Sequence, residues 1–148
     1  VTDLEPAGVK LGPLDGIVGY QLRRAQLAVF EDFARRFEAL DLTPAQFSTL
    51  TVIAETPGLR QSDVAAALGV QPPNFVSLIN ELERRSLVER LRSGADRRAY
   101  ALTLTEAGAA LMARARLAQA EQEEAIRALI GEPERLRLLE TLRKLSRF

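Results

Sequence analysis

From Leu14 to Leu40, apolar residues return at steps of three and four: Leu14, Val18, Leu22, Ala25, Val29, Phe33, Phe37 and Leu40. That spacing places them on one face of a helix. Arg23, Arg24, Glu31, Asp32, Arg35 and Arg36 lie largely off the face. A helix of ~25 residues is ~38 Å long, more than a small domain needs for its own core. The stripe therefore predicts a partner surface or dimer seam as well as a core, and it contains no cofactor motif.

Further along, the pattern breaks into shorter pieces. Thr43-Pro44-Ala45-Gln46 has the form of a helix start, with a capping Thr, a first-turn Pro and a Gln at the capping-box position. That helix runs to about Glu55 and stops at Pro57-Gly58. A short helix follows from about Gln61 to Leu68, ended by Gly69 in the left-handed conformation glycine tolerates. The next begins near Pro72-Pro73 and continues to Arg85. Phe75, Leu78, Ile79 and Leu82 form its apolar stripe; Asn74, Ser77, Glu81 and Arg84 form a polar one, with Asn80 beside it.

After Leu87 the period changes to two. Tyr100, Leu102 and Leu104 alternate with Ala101, Thr103 and Thr105, a strand pattern. Val88 to Arg92 is its expected partner strand, and Ser93-Gly94-Ala95-Asp96 the turn between them. Thr105-Glu106 caps a long helix that ends at Gly131. Pro133 opens a last one carrying Leu136, Leu139, Leu142 and Leu145. Residues 1–13 read as an arm, and 14–148 as a single domain.

Composition narrows the chemistry. The 148 residues are 47% hydrophobic and 27% charged, a globular balance. There is no Cys and no His. The thiolate nucleophile, the disulfide, the commonest metal ligand and the commonest general base are thus all missing. Neither a Gly-rich phosphate loop nor a nucleophile elbow is present, and the acids Glu121, Glu123 and Glu124 read as a solvated helix face. The chain is expected not to be an enzyme and to need no cofactor or metal. No targeting segment is evident, and the longest uncharged run, Val64 to Asn80, is too short and polar for a membrane span. A cytoplasmic protein without a membrane partner is expected.

Lys plus Arg and Asp plus Glu each number 20, a net charge of zero. Charge must be read locally, however. Arg84, Arg85, Arg90, Arg92, Arg97 and Arg98 face only Glu89 and Asp96 within 84–98, so this stretch is +4. The first 42 residues are −2. All the basic residues except Lys10 and Lys144 are Arg, the better planar donor for phosphates, guanine edges and narrow minor grooves. A short helix, a Gly turn, a polar-faced helix and an Arg-rich hairpin together read as a helix-turn-helix followed by a wing. That is a way of placing one helix in a major groove about 12 Å wide.

Four strings carry a resemblance: Leu68-Gly69-Val70, Leu82-Glu83-Arg84-Arg85-Ser86-Leu87-Val88-Glu89-Arg90, Asp96-Arg97-Arg98-Ala99 and Leu102-Thr103-Leu104-Thr105-Glu106-Ala107-Gly108. In this order and spacing the chain resembles the MarR family of bacterial winged-helix regulators, over roughly residues 14 to 148. The resemblance implies a mainly α fold with a small β-hairpin wing (α+β). Residues 14–42 and 106–148 would dimerise, and 43–105 would form the winged helix-turn-helix DNA-binding lobe. It implies an obligate homodimer on a double-stranded, pseudo-palindromic operator, acting as a repressor that a small aromatic or anionic effector releases.

Carried over by position, Gln71, Pro72, Pro73, Asn74, Ser77 and Asn80 fall on the recognition-helix face. Asn can grip adenine in a bidentate manner. Gln61 and Ser62 match the start of the helix that faces the DNA backbone. Arg84 is assigned to phosphate or a salt bridge. Arg92, in the basic stretch, joins the DNA-facing set. Arg97 and Arg98 match the wing arginines, and Asp96 the acid that orients one of them. Three positions depart from the pattern: Ser77 stands where relatives often carry Arg, Ser86 replaces a common Gly, and Arg60 sits where a capping Thr or Ser is usual.

Tyr20, Arg23 and Arg24 put a phenol and two cations on the first helix, similar to relatives that answer to aromatic acids or their thioesters. One of these arginines would pair with an effector carboxylate or phosphate, and Tyr20 or Phe47 would stack on its ring. The plainer alternative is salt bridging or solvation. For the chain as a whole, the alternative function is a helical interaction module or anti-regulator that has kept the fold and lost DNA binding.

Overall fold

A computed structural model describes residues 9–92 and 100–148. The expected turn at Ser93 to Asp96 lies outside the described residues, as do Arg97 and Arg98. The chain divides into two compact units, Val1–Asp32 and Phe33–Phe148, with the division inside the first long helix.

In the first unit a 3-10 turn, Gly12–Gly16, precedes helix α1, Val18–Phe37. The single helix expected from Leu14 to Leu40 is thus interrupted. Gly12 has a φ of 58°, and Ile17 is extended, with φ −96° and ψ 117°. A second 3-10 turn, Glu38–Leu40, follows α1. The apolar stripe divides as well. Leu14, Val18, Leu22 and Val29 are exposed, and so are Ile17, Leu27 and Phe30, whereas Phe33, Phe37 and Leu40 are buried.

The second unit begins with the end of α1 and the second 3-10 turn and continues through α2 (Pro44–Glu55), α3 (Gln61–Leu68), α4 (Pro72–Arg84), β1 (Val88–Arg92), β2 (Tyr100–Leu104), α5 (Glu106–Ile130) and α6 (Glu132–Leu145). Local chemistry sets these boundaries. The capping box at Thr43 forms in full: Gln46 N–H donates to Thr43 Oγ1 at 3.2 Å, and Thr43 N–H donates to Gln46 Oε1 at 3.0 Å. Gly69 ends α3 at a φ of 64°. Arg60 precedes α3 without a side-chain cap. The core gathers Phe37, Leu50, Ile53, Val64, Phe75, Ile79, Leu82, Leu102, Met112 and Ala115. Phe33 stacks on Phe37 at 3.7 Å, and Phe47 meets the Phe37 ring edge-on at 5.2 Å.

A two-stranded hairpin is marginal by itself. Here β1 and β2 pair antiparallel, with Val88 opposite Leu104 and Arg92 opposite Tyr100. The middle of β2 is held by the segment before α3. Leu102 N–H donates to the Leu59 carbonyl at 2.9 Å, and Gly58 N–H donates to the Leu102 carbonyl at 3.0 Å. Arg60 and Ala101 form an isolated bridge.

The end of α4, the start of β1 and the start of α5 meet at one junction. Ser86 adopts a φ of 57°, and Leu87 N–H returns to the Leu82 carbonyl at 2.9 Å. Thr105 N–H donates to the Leu87 carbonyl at 3.1 Å, while its hydroxyl donates to the Ser86 carbonyl at 2.5 Å. The same hydroxyl oxygen accepts from Gly108 N–H at 3.0 Å, capping α5. A Cβ on Gly108 would lie 2.0 Å from the Leu87 carbonyl oxygen.

Two substitutions test this junction by chemical denaturation. Gly108→Ala must push backbone apart, and a loss of about 3 kcal/mol, the top of the usual range for overpacking, is expected. Ser86→Gly removes a left-handed strain of about 1 kcal/mol and should raise the unfolding midpoint. An unchanged midpoint in Gly108→Ala would show that helix α5 is free to slide away from Leu87.

Candidate nucleic-acid interface

Helix α3, the Gly69-Val70-Gln71 connection and helix α4 form a helix-turn-helix, and the β1–β2 hairpin stands next in the chain as a wing. Between α3 and α4 lies an open groove of about 420 Å³. It brings together Gln61 and Ser62 from the start of α3 with Gln71 and Pro72 from the start of α4, and Phe75 and Val76 line its apolar side. Pro72 and Pro73 suit the first turn of α4, where a missing N–H costs nothing. Pro73, Asn74 and Ser77 are exposed along the helix. The Ser77 hydroxyl points back to the Pro73 carbonyl at 3.4 Å.

The basic stretch does not act as one block. Arg84 binds Glu81 on its own helix, with Nη2 to Oε1 at 2.6 Å and Nε to Oε2 at 3.1 Å. Arg85 turns the other way and donates to the carbonyls of Asp41 at 2.6 Å and Leu40 at 3.2 Å. It thereby closes the end of the 3-10 turn, whose capping residue, Asp41, is left-handed at a φ of 50°. Arg90 donates to Glu83 Oε2 at 2.6 Å and to Asn80 Oδ1 at 2.7 Å. Arg92 and Arg60 are exposed and hold no ion pair among the described residues. Asp96, Arg97 and Arg98 fall outside those residues.

Asn80 is therefore engaged through the oxygen that adenine recognition would use. Sequence reasoning counted Arg90 only as charge and missed its role as a link between helix and hairpin. Its signal is an Asn and a Glu three residues apart, followed by an Arg on the next strand. That signal becomes legible only once the strand's register is known.

The proposed effector residues lie in both units. In the first, the Arg24 guanidinium sits 6.0 Å from the Tyr20 ring centroid, at the limit of a cation–π contact, and Arg23 is exposed. In the second, the half-buried Phe47 belongs to the cluster with Phe33 and Phe37. No helix among the described residues is long and apolar enough to cross a membrane.

These elements define a mainly helical winged helix-turn-helix protein. A family model described as MarR family matches residues 40–99. A candidate transcriptional regulatory protein for the hcr operon of Thauera aromatica is 37% identical over 137 residues, covering 92% of this chain and 82% of that protein. The homoprotocatechuate degradative operon repressor of Escherichia coli is 31% identical, covering 74% and 70%. Among solved structures, the transcriptional repressor CouR bound to a 23-mer DNA duplex is 42% identical, with a TM-score of 0.90, covering 93% of this chain and 98% of that one. CouR bound to p-coumaroyl-CoA is 41% identical, with a TM-score of 0.88, covering 94% and 98%. The chain belongs to the MarR family and is a transcriptional regulator.

The fork on Glu81 has a measurable signature. The hydrogen bond from Arg84 is the largest cause holding the Glu81 carboxyl below the ordinary 4.5; desolvation opposes it, and the charges of Arg84 and Arg85 add to the lowering. A carboxylate lowered in the folded state contributes stability above its unfolded pKa and loses it as pH falls through the folded one. In an NMR titration, Glu81 should protonate below pH 4.5, and Arg84→Ala should move its midpoint upward toward that value. A midpoint that Arg84→Ala leaves in place would mean the fork does not persist in solution.

Proposed function

We propose that the protein is a cytoplasmic, homodimeric repressor that binds a pseudo-palindromic operator and is released by an aromatic acid or its thioester. The observation that carries the reading is the exposed polar face of α4, set beside the α3–α4 groove. CouR, 42% identical, is a repressor known in structures with DNA and with p-coumaroyl-CoA.

In this reading Gln71, Pro72, Pro73, Asn74, Ser77 and Asn80 face the major groove. Gln61 and Ser62 approach the DNA backbone. Arg92, Arg97 and Arg98 serve the wing, with Asp96 orienting an arginine, and Arg84 contacts phosphate from within its pair with Glu81. Phosphate contacts position the protein, and base contacts specify the site.

Dimerisation is supported by apolar side chains that one chain leaves uncovered. In the first unit these are Ile17, Val18, Leu22, Leu27 and Phe30; on α6 they are Leu136, Leu138, Leu142 and Leu145. Contiguous exposed apolar surface marks an interaction site. Two-fold symmetry then sets the half-sites about 34–36 Å apart, centre to centre. Residues 14–42 and 106–148 supply the dimer, and 43–105 the DNA-binding lobe. Tyr20, Arg23, Arg24 and Phe47 answer the effector: rings for its aryl group, guanidinium groups for its carboxylate or phosphates.

Gel shift on fragments of the protein's own promoter region, over a salt series, tests the DNA half. Affinity should fall about 1000-fold or more between 50 and 200 mM salt, as for a protein that neutralises six or more phosphates. Free p-coumarate and p-coumaroyl-CoA form the two effector arms. One of them should release the DNA, and Arg24→Ala should raise the concentration needed by about tenfold or more, the value of a lost charge-assisted hydrogen bond. The absence of any salt-sensitive, sequence-preferring binding would favour an interaction module without DNA binding.

A further inference from the structure

One side chain joins the polar helix to the wing. Arg90 on β1 spans Glu83 and Asn80, which stand three residues apart on α4. Residues at that spacing are surface neighbours on a helix. A guanidinium has donors only, so the Asn80 atom facing it is the amide oxygen. The oxygen accepts a charge-assisted bond at 2.7 Å, and Glu83 fixes the other arm of the fork at 2.6 Å. Asn80 is exposed, and its two amide N–H donors hold no partner among the described residues.

Reading adenine takes both halves of the amide: the oxygen accepts from N6 while the nitrogen donates to N7. Oδ1 does have a second lone pair. A coplanar grip on adenine, however, requires oxygen and nitrogen to turn together, and that draws Oδ1 away from Arg90. A charge-assisted bond is roughly twice as strong as the neutral one that would replace it. Donation to guanine needs no such turn, because O6 and N7 are both acceptors.

We infer that Arg90 sets the base preference of Asn80. It holds Asn80 as a donor toward guanine and denies it the paired grip on adenine. Arg90 is thus a positioning residue that acts on specificity through its neighbour. The inference rests on the operator-binding reading above.

Selection from a randomised duplex library, read by sequencing, tests it with the full chain and two variants. Arg90→Met keeps the aliphatic stem and drops the fork. One half-site position should then shift from guanine toward adenine, with adenine gaining about fivefold or more, while the rest of the half-site is unchanged. Asn80→Asp keeps a partner for Arg90 and removes the donors. The same position should lose its guanine preference, with thermal stability at or above the parent's. If Asn80 only braces Arg90, Asn80→Asp selects the parent's motif, and the inference is overturned. It is equally overturned if Arg90→Met retains the parent's motif, or if Asn80→Asp removes an adenine preference. A parent chain that enriches no motif instead removes the operator-binding reading itself.

Discussion

The close approach of Gly108 to the Leu87 carbonyl is the constraint on which the DNA-binding architecture depends. At that point three elements share a few backbone groups: the end of α4, the first residue before β1 and the first turn of α5. Thr105 is the fastener, since one hydroxyl caps α5 and also holds the Ser86 carbonyl. A side chain on residue 108 would force α5 off this contact. The angle between the long helix and the wing is therefore set by hard-sphere contact, which does not yield gradually. The left-handed Ser86 belongs to the same device: it turns the chain sharply so that Leu87 and Val88 enter the core while the wing begins. Strain of this kind persists only where surrounding structure over-determines it, and here the bonds from Leu82, Leu87 and Thr105 do so.

Electrostatics divide the molecule differently from what a charge count along the chain suggests. Arg84, Arg85 and Arg90 all contribute to the +4 stretch, yet each is committed to a structural partner. Arg85 closes a turn 44 residues away in sequence, and Arg90 ties a strand to a helix. Arg60 and Arg92, both exposed and without an ion pair among the described residues, lie beside the second strand and at the end of the first strand of the wing. Exposed ion pairs are worth little for stability. Their consequence here is geometric: they decide which guanidinium groups, and which side of Asn80, are available to another molecule.

Most element boundaries were legible because they are written in local chemistry. Thr43 with Gln46, Gly69, and Thr105 with Glu106 each act within one helical turn, and each forms as its residue type dictates. The alternation at Tyr100 to Leu104 was readable for the same reason. The interruption before α1 was less so, because an unbroken three-and-four spacing of apolar residues passes over the extended residue Ile17. The division of that stripe into buried and exposed parts depends on tertiary packing, which periodicity does not encode. At the candidate site the residue types were legible but their partners were not. Asn80 looks like an adenine reader until Arg90 is placed ten residues on by the hairpin register. The proximity that requires Gly108 left only the mark of a glycine in the first turn of a helix, where it has no propensity reason to be.

The ionisable groups also limit what kind of signal this regulator can receive. The chain has no His and no Cys, and 18 of its 20 basic residues are Arg. Histidine is the side chain whose ordinary pKa puts its charge change near neutrality. The chain thus lacks the side chain that ordinarily serves as a switch near neutral pH. Thiol oxidation is unavailable to it for the same compositional reason. A ligand that changes DNA affinity must bind the DNA-competent and DNA-incompetent states unequally, because equal affinity shifts nothing. In the proposed reading, the guanidinium groups beside a phenol on α1 would recognise an anionic, aromatic ligand. A chain without His or Cys leaves that recognition to hydrogen bonds and ring contacts of ordinary Arg and Tyr side chains.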